Sequence, residues 1–202
     1  KSVSEAIKQI INNCVQGELD VDRLPTFDIE YLFLRLRAKS VGEVVNVGLK
    51  PYPCSQNNGE LCEKTTAIDI NLEEVKVVKN EKHTNKIMLS EDIGITMTYP
   101  NIEKLQGIMK PDNTGSSQTT QAMDMIKDSV SMVFTKEETH ERDSFTSEEL
   151  DNFFDSLTTD QFIKIREFFE TMPTLKHTVK YKCSTCGEDK ETTVQGLNSF
   201  FG

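Results

Sequence analysis

The pair Cys183-x-x-Cys186 is the feature of this sequence whose residue types and spacing point most specifically to chemistry. A two-residue spacer lets both thiolates point at one tetrahedral metal ion, and Gly187 supplies the positive φ that such a turn commonly requires. The pair lies between two short predicted strands, residues 177–182 and 190–194, which is the setting of half a zinc ribbon. The spacing therefore predicts one half of a structural zinc site.

Tetrahedral zinc needs two further ligands, and the sequence offers a second pair of cysteines in a loop between two predicted strands. The strands are residues 44–49 and 67–72, and Asn57-Asn58-Gly59 in the loop can make the extra turn that a long spacer needs. If zinc fills its four positions with protein ligands, no position remains open for catalysis, and the metal acts as a staple between distant segments. The predicted ligands are Cys54, Cys62, Cys183 and Cys186.

Three other interpretations of the cysteines stay open. His177 replaces one of the loop cysteines, or the thiols are reduced and free of metal. In the third, Cys183 and Cys186 work as a redox dithiol, although neither a βαβ unit nor a helix starting at the pair is visible. The fifth cysteine, Cys14, lies on the apolar face of a predicted first helix and is interpreted as a small core residue.

Composition limits the classes of protein to which the chain can belong. Its 202 residues make one large domain or two small ones, and 36% hydrophobic with 28% charged residues is ordinary for a globular protein. Lys+Arg 23 against Asp+Glu 33 gives a net charge of −10, which argues against nucleic-acid binding and against docking on anionic lipid. Apolar runs fall short of the ~20 residues that a membrane span needs. With no export signal and an odd number of cysteines, we expect a reducing cytoplasm.

Hydrophobic periodicity predicts an α+β fold with a central antiparallel sheet, N- and C-terminal helices and a zinc-ribbon-like pair of cysteine turns. We expect a single domain over residues 1–202. Its predicted parts are a helical segment at 1–40, a β meander with the first cysteine loop at 41–100, a helical segment at 101–172 with linkers at 111–119 and 135–145, and a C-terminal cysteine hairpin at 173–202.

The second helical segment carries the residues predicted to bind partners. Met123, Ile126, Val130 and Val133 recur at helical spacing and predict one amphipathic helix. Two helices follow: Thr146, three residues before Glu149, predicts a capping box for the first, and Thr158 or Thr159 starts the second. Their phenylalanines form either a core or a partner groove. The predicted partner-binding residues are Met125, Met132, Phe153 and Phe168.

No catalytic motif is recognisable in the sequence. A phosphate-binding loop, a dinucleotide glycine pattern and a nucleophile elbow are missing. His140-Glu141 is not followed by a second histidine at the metalloprotease spacing, because Ser144 stands there. His83 lies in a polar stretch, residues 79–86, predicted to be a hairpin loop, and is interpreted as a surface residue. We therefore predict a protein that is not an enzyme and has no small-molecule substrate.

The run from Ile29 to Glu43, IEYLFLRLRAKSVGE, resembles the signature of the baseplate hub proteins of T-even-type tailed bacteriophages. The segments at 86–94, 153–169 and 181–201 fit as well, in the family's order, so the resemblance covers roughly residues 28–202. It implies a non-enzymatic role in assembly or structure of the central hub, through contacts with other hub and tail proteins. It also implies that the protein is found in the host cytoplasm during assembly, and leaves open whether it stays in the tail baseplate of the finished virion or leaves after assembly.

Two rival functions follow from the cysteine turn alone. The first is a zinc-ribbon nucleic-acid-binding protein, although the lysines around the turn are offset by Glu188, Asp189 and Glu191. The second is a thiol redox enzyme working at Cys183 and Cys186.

Overall fold

The computed structural model describes residues 3–49, 65–101 and 118–201. Cys54, Cys62, residues 102–109 of the predicted helix and most of the linker at 111–119 lie outside the described residues. The elements in chain order are α1 Val3–Cys14, α2 Thr26–Val41, β1 Val44–Leu49, β2 Thr66–Asn71, β3 Lys76–Val78, β4 Lys86–Met88, β5 Gly94–Met97, α3 Gln118–Ser129, β6 Val130–Phe134, β7 Thr139–Glu141, α4 Ser147–Asp155, α5 Thr159–Thr171, β8 Thr174–Lys182, β9 Asp189–Gln195 and α6 Asn198–Phe201.

The chain divides into two compact units. The terminal unit takes the described residues of Lys1–Val21, Phe27–Val78 and Pro173–Gly202, and the central unit takes those of Asp22–Thr26 and Lys79–Met172. Both combine antiparallel strands with helices, so the predicted α+β class is confirmed. Among the described helices, none is both long and apolar enough to cross a bilayer.

The terminal unit contains two small sheets. β1 and β2 form an antiparallel pair that runs without interruption from Val44 opposite Asn71 to Leu49 opposite Thr66. The other sheet has the order β3-β8-β9. The predicted meander is wrong here, because β3 pairs with β8 and β4 pairs with β5. Leu175 of the nine-residue β8 is fully buried and lies opposite Val77 of β3. Because β3 pairs with β8 through this apolar contact, residues 79–86 do not form the predicted hairpin loop.

The core of the terminal unit is mainly aliphatic. In α2, Ile29, Leu34 and Ala38 are buried, whereas the residues between them are half-buried, so this helix is less enclosed than its apolar sequence predicts. Arg35 explains part of the difference, since its guanidinium lies 4.9 Å from the Tyr31 ring and donates to the Glu73 carbonyl oxygen. The buried apolar residues of this unit besides Cys183 are Ile7, Ile11, Val21, Ile29, Leu34, Ala38, Val45, Leu49, Ile70, Leu72, Val75, Leu175, Val194, Leu197 and Phe200.

The central unit contains a four-stranded antiparallel sheet of order β4-β5-β6-β7 and the helices α3, α4 and α5. The capping box of α4 between Thr146 and Glu149 is present as predicted. Thr158 caps α5 in the same way, with Gln161 as the reciprocal partner. The buried residues of its core cluster are Ile87, Leu89, Ile95, Met97, Ile126, Val130, Leu150, Phe154, Ile165 and Phe168.

The predicted helix through Val130 and Val133 is wrong, because α3 ends at Ser129 and both valines belong to β6. Val133 pairs with Ile95 and Val130 with Met97 of β5. Three of the five β6 residues are Val or Phe, which favour strands. In addition, β6 pairs with a strand on each side, and this pairing outweighs the helical spacing of its valines. The predicted linker at 135–145 contains β7 and a 3-10 turn at Arg142–Ser144.

Candidate functional site

The cysteine turn joins β8 to β9 and is the candidate site that the sequence singled out. The Cys183 amide donates to the Glu188 carbonyl oxygen over 2.9 Å, and the Gly187 amide donates to the Cys183 carbonyl oxygen over 2.9 Å. Gly187 has φ 71°, so the positive φ predicted for this position is confirmed. These two hydrogen bonds close a tight turn around the cysteines.

The two thiols of the turn lie side by side. Cys183 is buried, and the half-buried Cys186 packs against it. The Cys186 Sγ lies 4.0 Å from Glu188 Oε2, and this carboxylate forms an ion pair of 3.8 Å with Lys190. Two neighbouring thiols are soft ligands that suit zinc once they are deprotonated.

The described residues contain two of the four predicted zinc ligands. Cys54 and Cys62 lie outside the described residues. Within residues 3–49, 65–101 and 118–201, no three His, Cys, Asp or Glu side chains come together as a metal-binding group. His177 therefore does not complete a three-ligand set with Cys183 and Cys186.

A distant strand is fastened to the cysteine turn by Thr66, the first residue of β2. The Thr66 Oγ1 accepts a hydrogen bond from the Ser184 amide over 3.1 Å and lies 3.2 Å from the Ser184 Oγ. Thr66 is buried, and it lies directly opposite Leu49 in the β1–β2 pair. The described residues on both sides of segment 50–64 are thus paired next to the cysteine turn.

Cys14 is exposed, so its interpretation as a core residue is wrong. Ile7 and Ile11 form the buried stripe of α1, and Cys14 is the last residue of the helix. At this position the helix has no following turn that would continue the packed stripe.

The four predicted partner-binding residues lie on four different elements of the central unit. Met125 on α3, Met132 on β6 and Phe153 on α4 are half-buried. Phe168 on α5 is only 2% exposed, and its ring stacks on Tyr99 with centroids 5.6 Å apart. Phe168 therefore contributes to the core and offers little surface to a partner.

His83 is the residue whose surroundings the sequence did not indicate. Its Nδ1 lies 2.9 Å from the Thr171 Oγ1 and its Nε2 lies 2.9 Å from the Tyr99 Oη. The Thr171 hydroxyl already donates to the Glu167 carbonyl oxygen, so His83 Nδ1–H donates to Thr171 and the Tyr99 hydroxyl donates to Nε2. Burial lowers the pKa of His83, and the nearby Lys79 lowers it further.

His83 is half-buried, so its interpretation as a surface residue holds only in part: the imidazole lies between hydroxyl groups and the aromatic ring of Phe168. No spacing in the sequence indicates this arrangement, because Thr171 is 88 positions away.

A sequence model for the family described as T4 bacteriophage base plate protein matches residues 1–202. No curated protein and no solved structure matches the chain.

Proposed function

We propose that this chain, which belongs to the T4 bacteriophage base plate protein family, acts in the assembly or structure of the central hub of the baseplate through contacts with other hub and tail proteins. The family match over residues 1–202 is the observation that carries the proposal, because it covers both units. It gives the chain a structural role in the phage baseplate. The hub assignment is supported by the resemblance of the run from Ile29 to Glu43.

The surface of the described residues suits a protein that binds other proteins. Large apolar side chains are exposed in both units, among them Val41 at 71% and Val44 at 56% in the terminal unit. The net charge of −10 reduces unspecific binding to nucleic acid, which is abundant in an infected cell. We propose that the chain acts in the host cytoplasm during assembly and remains in the tail baseplate.

We propose no catalytic role for the chain. Glu30 and His83, two groups whose pKa is shifted by burial, hold structural hydrogen bonds. Glu30 accepts the Leu197 amide in the terminal unit, and His83 bonds two hydroxyls in the central unit. Each group is therefore occupied by contacts that stabilise the fold of its own unit.

We further propose a structural zinc ion held by Cys54, Cys62, Cys183 and Cys186. Cys54 follows Leu49 by five residues and Cys62 precedes Thr66 by four residues. Four residues of extended chain span at most about 14 Å and five at most about 18 Å. Since Leu49 and Thr66 pair beside the cysteine turn, chain length permits all four thiolates to meet.

Elemental analysis of protein purified without chelator tests the zinc proposal, and we expect one zinc per chain. Cys186→Ser should lose the metal and destabilise the protein by about 3 kcal/mol or more, as the loss of a structural metal does. Cys14→Ser is the matched control, because Cys14 is exposed and distant in sequence from the turn. Metal-free wild-type protein, or zinc retained by Cys186→Ser, would overturn the proposal.

A mass-spectrometric inventory of baseplate intermediates and finished particles tests the hub proposal. Phage with a nonsense codon in this reading frame should stop before the hub is complete, and expression of the intact chain should restore assembly. Hub intermediates of normal composition that form without the chain would contradict the proposal. Presence of the chain in intermediates but not in particles would show a transient assembly factor instead of a permanent component.

A further inference from the structure

The strand β1 lines a groove of the terminal unit along its entire length. The groove has a volume of about 720 Å³, and its other walls are residues 192–194 of β9 and 198–201 of α6, with Arg37 of α2 contributing a side chain. β1 pairs with β2 on one side, and no other strand among the described residues pairs with its second side. β1 is therefore an edge strand that faces an open groove.

The pairing of β1 with β2 leaves part of its backbone available. The register is regular over all six residues of β1, without a bulge. In a regular antiparallel pair, every second residue turns its N–H and C=O groups away from the partner strand. Such outward groups are the ones to which an additional strand binds.

β1 lacks the charge, proline and bulge that protect many edge strands, although α6 lies close to it. Proteins keep edges from pairing with other chains by charged side chains, proline, bulges or very short strands. β1 has the sequence VVNVGL, with neither charge nor proline. Every other outer strand of the described sheets carries a charged residue: Asp69 in β2, Lys76 in β3, Lys86 in β4, Glu141 in β7 and Asp189 in β9.

The walls of the groove specify what kind of segment fits. Valine, threonine and leucine make up seven of the fourteen lining residues, and Asn46, Asn198 and Ser199 add polar side chains. Val44 is 56% exposed and Phe201 is 40% exposed. Although the chain has a net charge of −10, no carboxylate of the described residues lines the groove, and Arg37 is the one cation among the described lining residues. Such walls complement an extended segment with alternating β-branched or apolar residues that is neutral or slightly acidic.

The size of the groove favours a single strand over a second copy of this chain. About 720 Å³ is the volume of a ligand cleft and accommodates a short peptide segment. In a second copy, β1 is flanked by the same walls from β9 and α6. If two copies paired through β1, the walls of one copy would meet the walls of the other before the two strands came within hydrogen-bonding distance.

We infer that β1 is a docking site for an extended segment of another baseplate protein, which adds to β1 as a new antiparallel or parallel strand. The inference rests on the proposed function, because it assumes that the chain works inside the baseplate. The backbone of β1 provides the hydrogen bonds, and Val44 and Phe201 provide the apolar contacts. With Arg37 as the one charged residue of the described walls, the groove selects against strongly charged segments.

Site-specific cross-linking tests the inference in assembled baseplates. Phage lacking the chain is complemented with full-length protein that carries p-benzoylphenylalanine at position 44, and the control carries it at position 78. Val78 is the matched control, because it is an exposed strand valine of the same unit outside the groove. We expect irradiation to join position 44, but not position 78, to one segment of one other baseplate protein.

Two further measurements show whether that contact is strand addition. Amide exchange of residues 44–49 should slow at least about tenfold between the free protein and the isolated baseplate, because outward amides acquire partners. Val44→Lys should lower incorporation of the chain about tenfold or more with an unchanged unfolding midpoint, whereas Val78→Lys should be incorporated normally. If Val44→Lys fails to fold, the exchange of the wild-type amides decides.

Other results overturn the inference. One is a cross-link that joins position 44 to a second copy or to the same chain. The other is amide exchange of residues 44–49 that stays unchanged in baseplates that contain the protein. Wild-type chain that never enters baseplates would instead contradict the proposed function. The two failures are thus distinguishable.

Discussion

The two units use different residues to solve the same packing problem. Both cover antiparallel strands with helices, but the buried large side chains of the terminal unit are aliphatic, with Phe200 as the buried aromatic residue among those described. The core cluster of the central unit contains Phe154 and Phe168, and further aromatic side chains pack around it. Aromatic rings bury more apolar area per residue, so fewer positions carry the stability of the central unit.

The units also differ in how their parts are connected. The central unit is mostly one continuous stretch, Lys79–Met172, with capping boxes that act within four residues. The terminal unit joins segments far apart in sequence through polar contacts such as Thr66 with Ser184, 118 positions apart, and Glu30 with Leu197, 167 positions apart. Its assembly therefore requires long-range closure, which costs more chain entropy.

Replacement of the most buried ring of the central unit should have the largest effect. Phe168→Ala removes a ring that is 2% exposed and stacked on Tyr99, and we expect it to destabilise the protein by about 3–5 kcal/mol. Urea denaturation measures the change. Phe153→Ala, at a half-buried ring of the same unit, is the control and should cost clearly less. Equal costs would show that the central core is not organised around the buried stack.

Short-range patterns in the sequence predicted much of the fold. The capping box of α4, the start of α5, the bounds of β1 and the positive φ of Gly187 each depend on residues within a few positions of one another. For the same reason the geometry of the cysteine turn was predictable. These features occur because local hydrogen bonds and steric limits decide them before tertiary packing does.

Features that depend on distant partners were not predictable. Val130 and Val133 have helical spacing, but their strand neighbours on β5 are more than thirty positions away. His83 receives its partners from Tyr99 and Thr171, and the Thr66 contact with the cysteine turn has no counterpart in spacing. The groove beside β1 likewise forms only when β9 and α6, from the end of the chain, come to lie next to it.

The contact between Thr66 and the cysteine turn gives the second largest expected effect. Thr66→Val keeps the shape of the side chain but removes the oxygen that accepts the Ser184 amide. We expect a loss of about 1–2 kcal/mol in the free energy of unfolding, since Thr66 is buried but Ser184 is exposed and can bind water.

Thr178→Val is the control for Thr66→Val, because it removes the exposed hydrogen bond between the Thr178 and Thr193 hydroxyls in the same unit. It should change the stability by less than about 0.5 kcal/mol. If both variants behave alike, the terminal unit does not depend on its long-range polar contacts, and the contrast with the central unit disappears.

Acid should affect the central unit through His83 by a smaller amount. Burial, with a contribution from Lys79, lowers the pKa of His83 from its ordinary value near 6.5. The unfolded chain then binds more protons than the folded chain just below pH 6.5, so stability falls as the pH falls through this window. Urea denaturation between pH 7.5 and 5 should show this slope, and His83→Gln should flatten it.

His140→Gln is the control for His83→Gln, because it replaces an exposed histidine of the same unit and leaves His83 in place. The slope should persist in this variant. A slope that persists in His83→Gln instead would assign the acid sensitivity to other groups.

The smallest expected effect concerns Glu30 of the terminal unit, and its dependence of stability on pH has the opposite sign to that of His83. Burial raises the pKa of Glu30 above its ordinary value near 4.5, although the hydrogen bond from the Leu197 amide works against the shift. Between these two values the folded chain binds more protons than the unfolded chain, so stability falls as the pH rises through that window. Above that window the cost of burying the charge is fully present.

Glu30→Gln removes the charge and keeps an oxygen that accepts the Leu197 amide. We expect a modest gain in the free energy of unfolding at pH 7 and no change at pH 4, where glutamate is largely protonated in both states. Glu74→Gln, at an exposed glutamate of the same unit, should gain nothing at either pH. With the His83 result, the sign decides the comparison: acidification below pH 6.5 weakens the central unit through His83, whereas acidification towards pH 4.5 relieves the terminal unit at Glu30. Exchange of core amides, read separately for each unit, measures both. Equal weakening of the two units would mean that their half-buried ionisable groups, Glu30 and His83, do not set them apart.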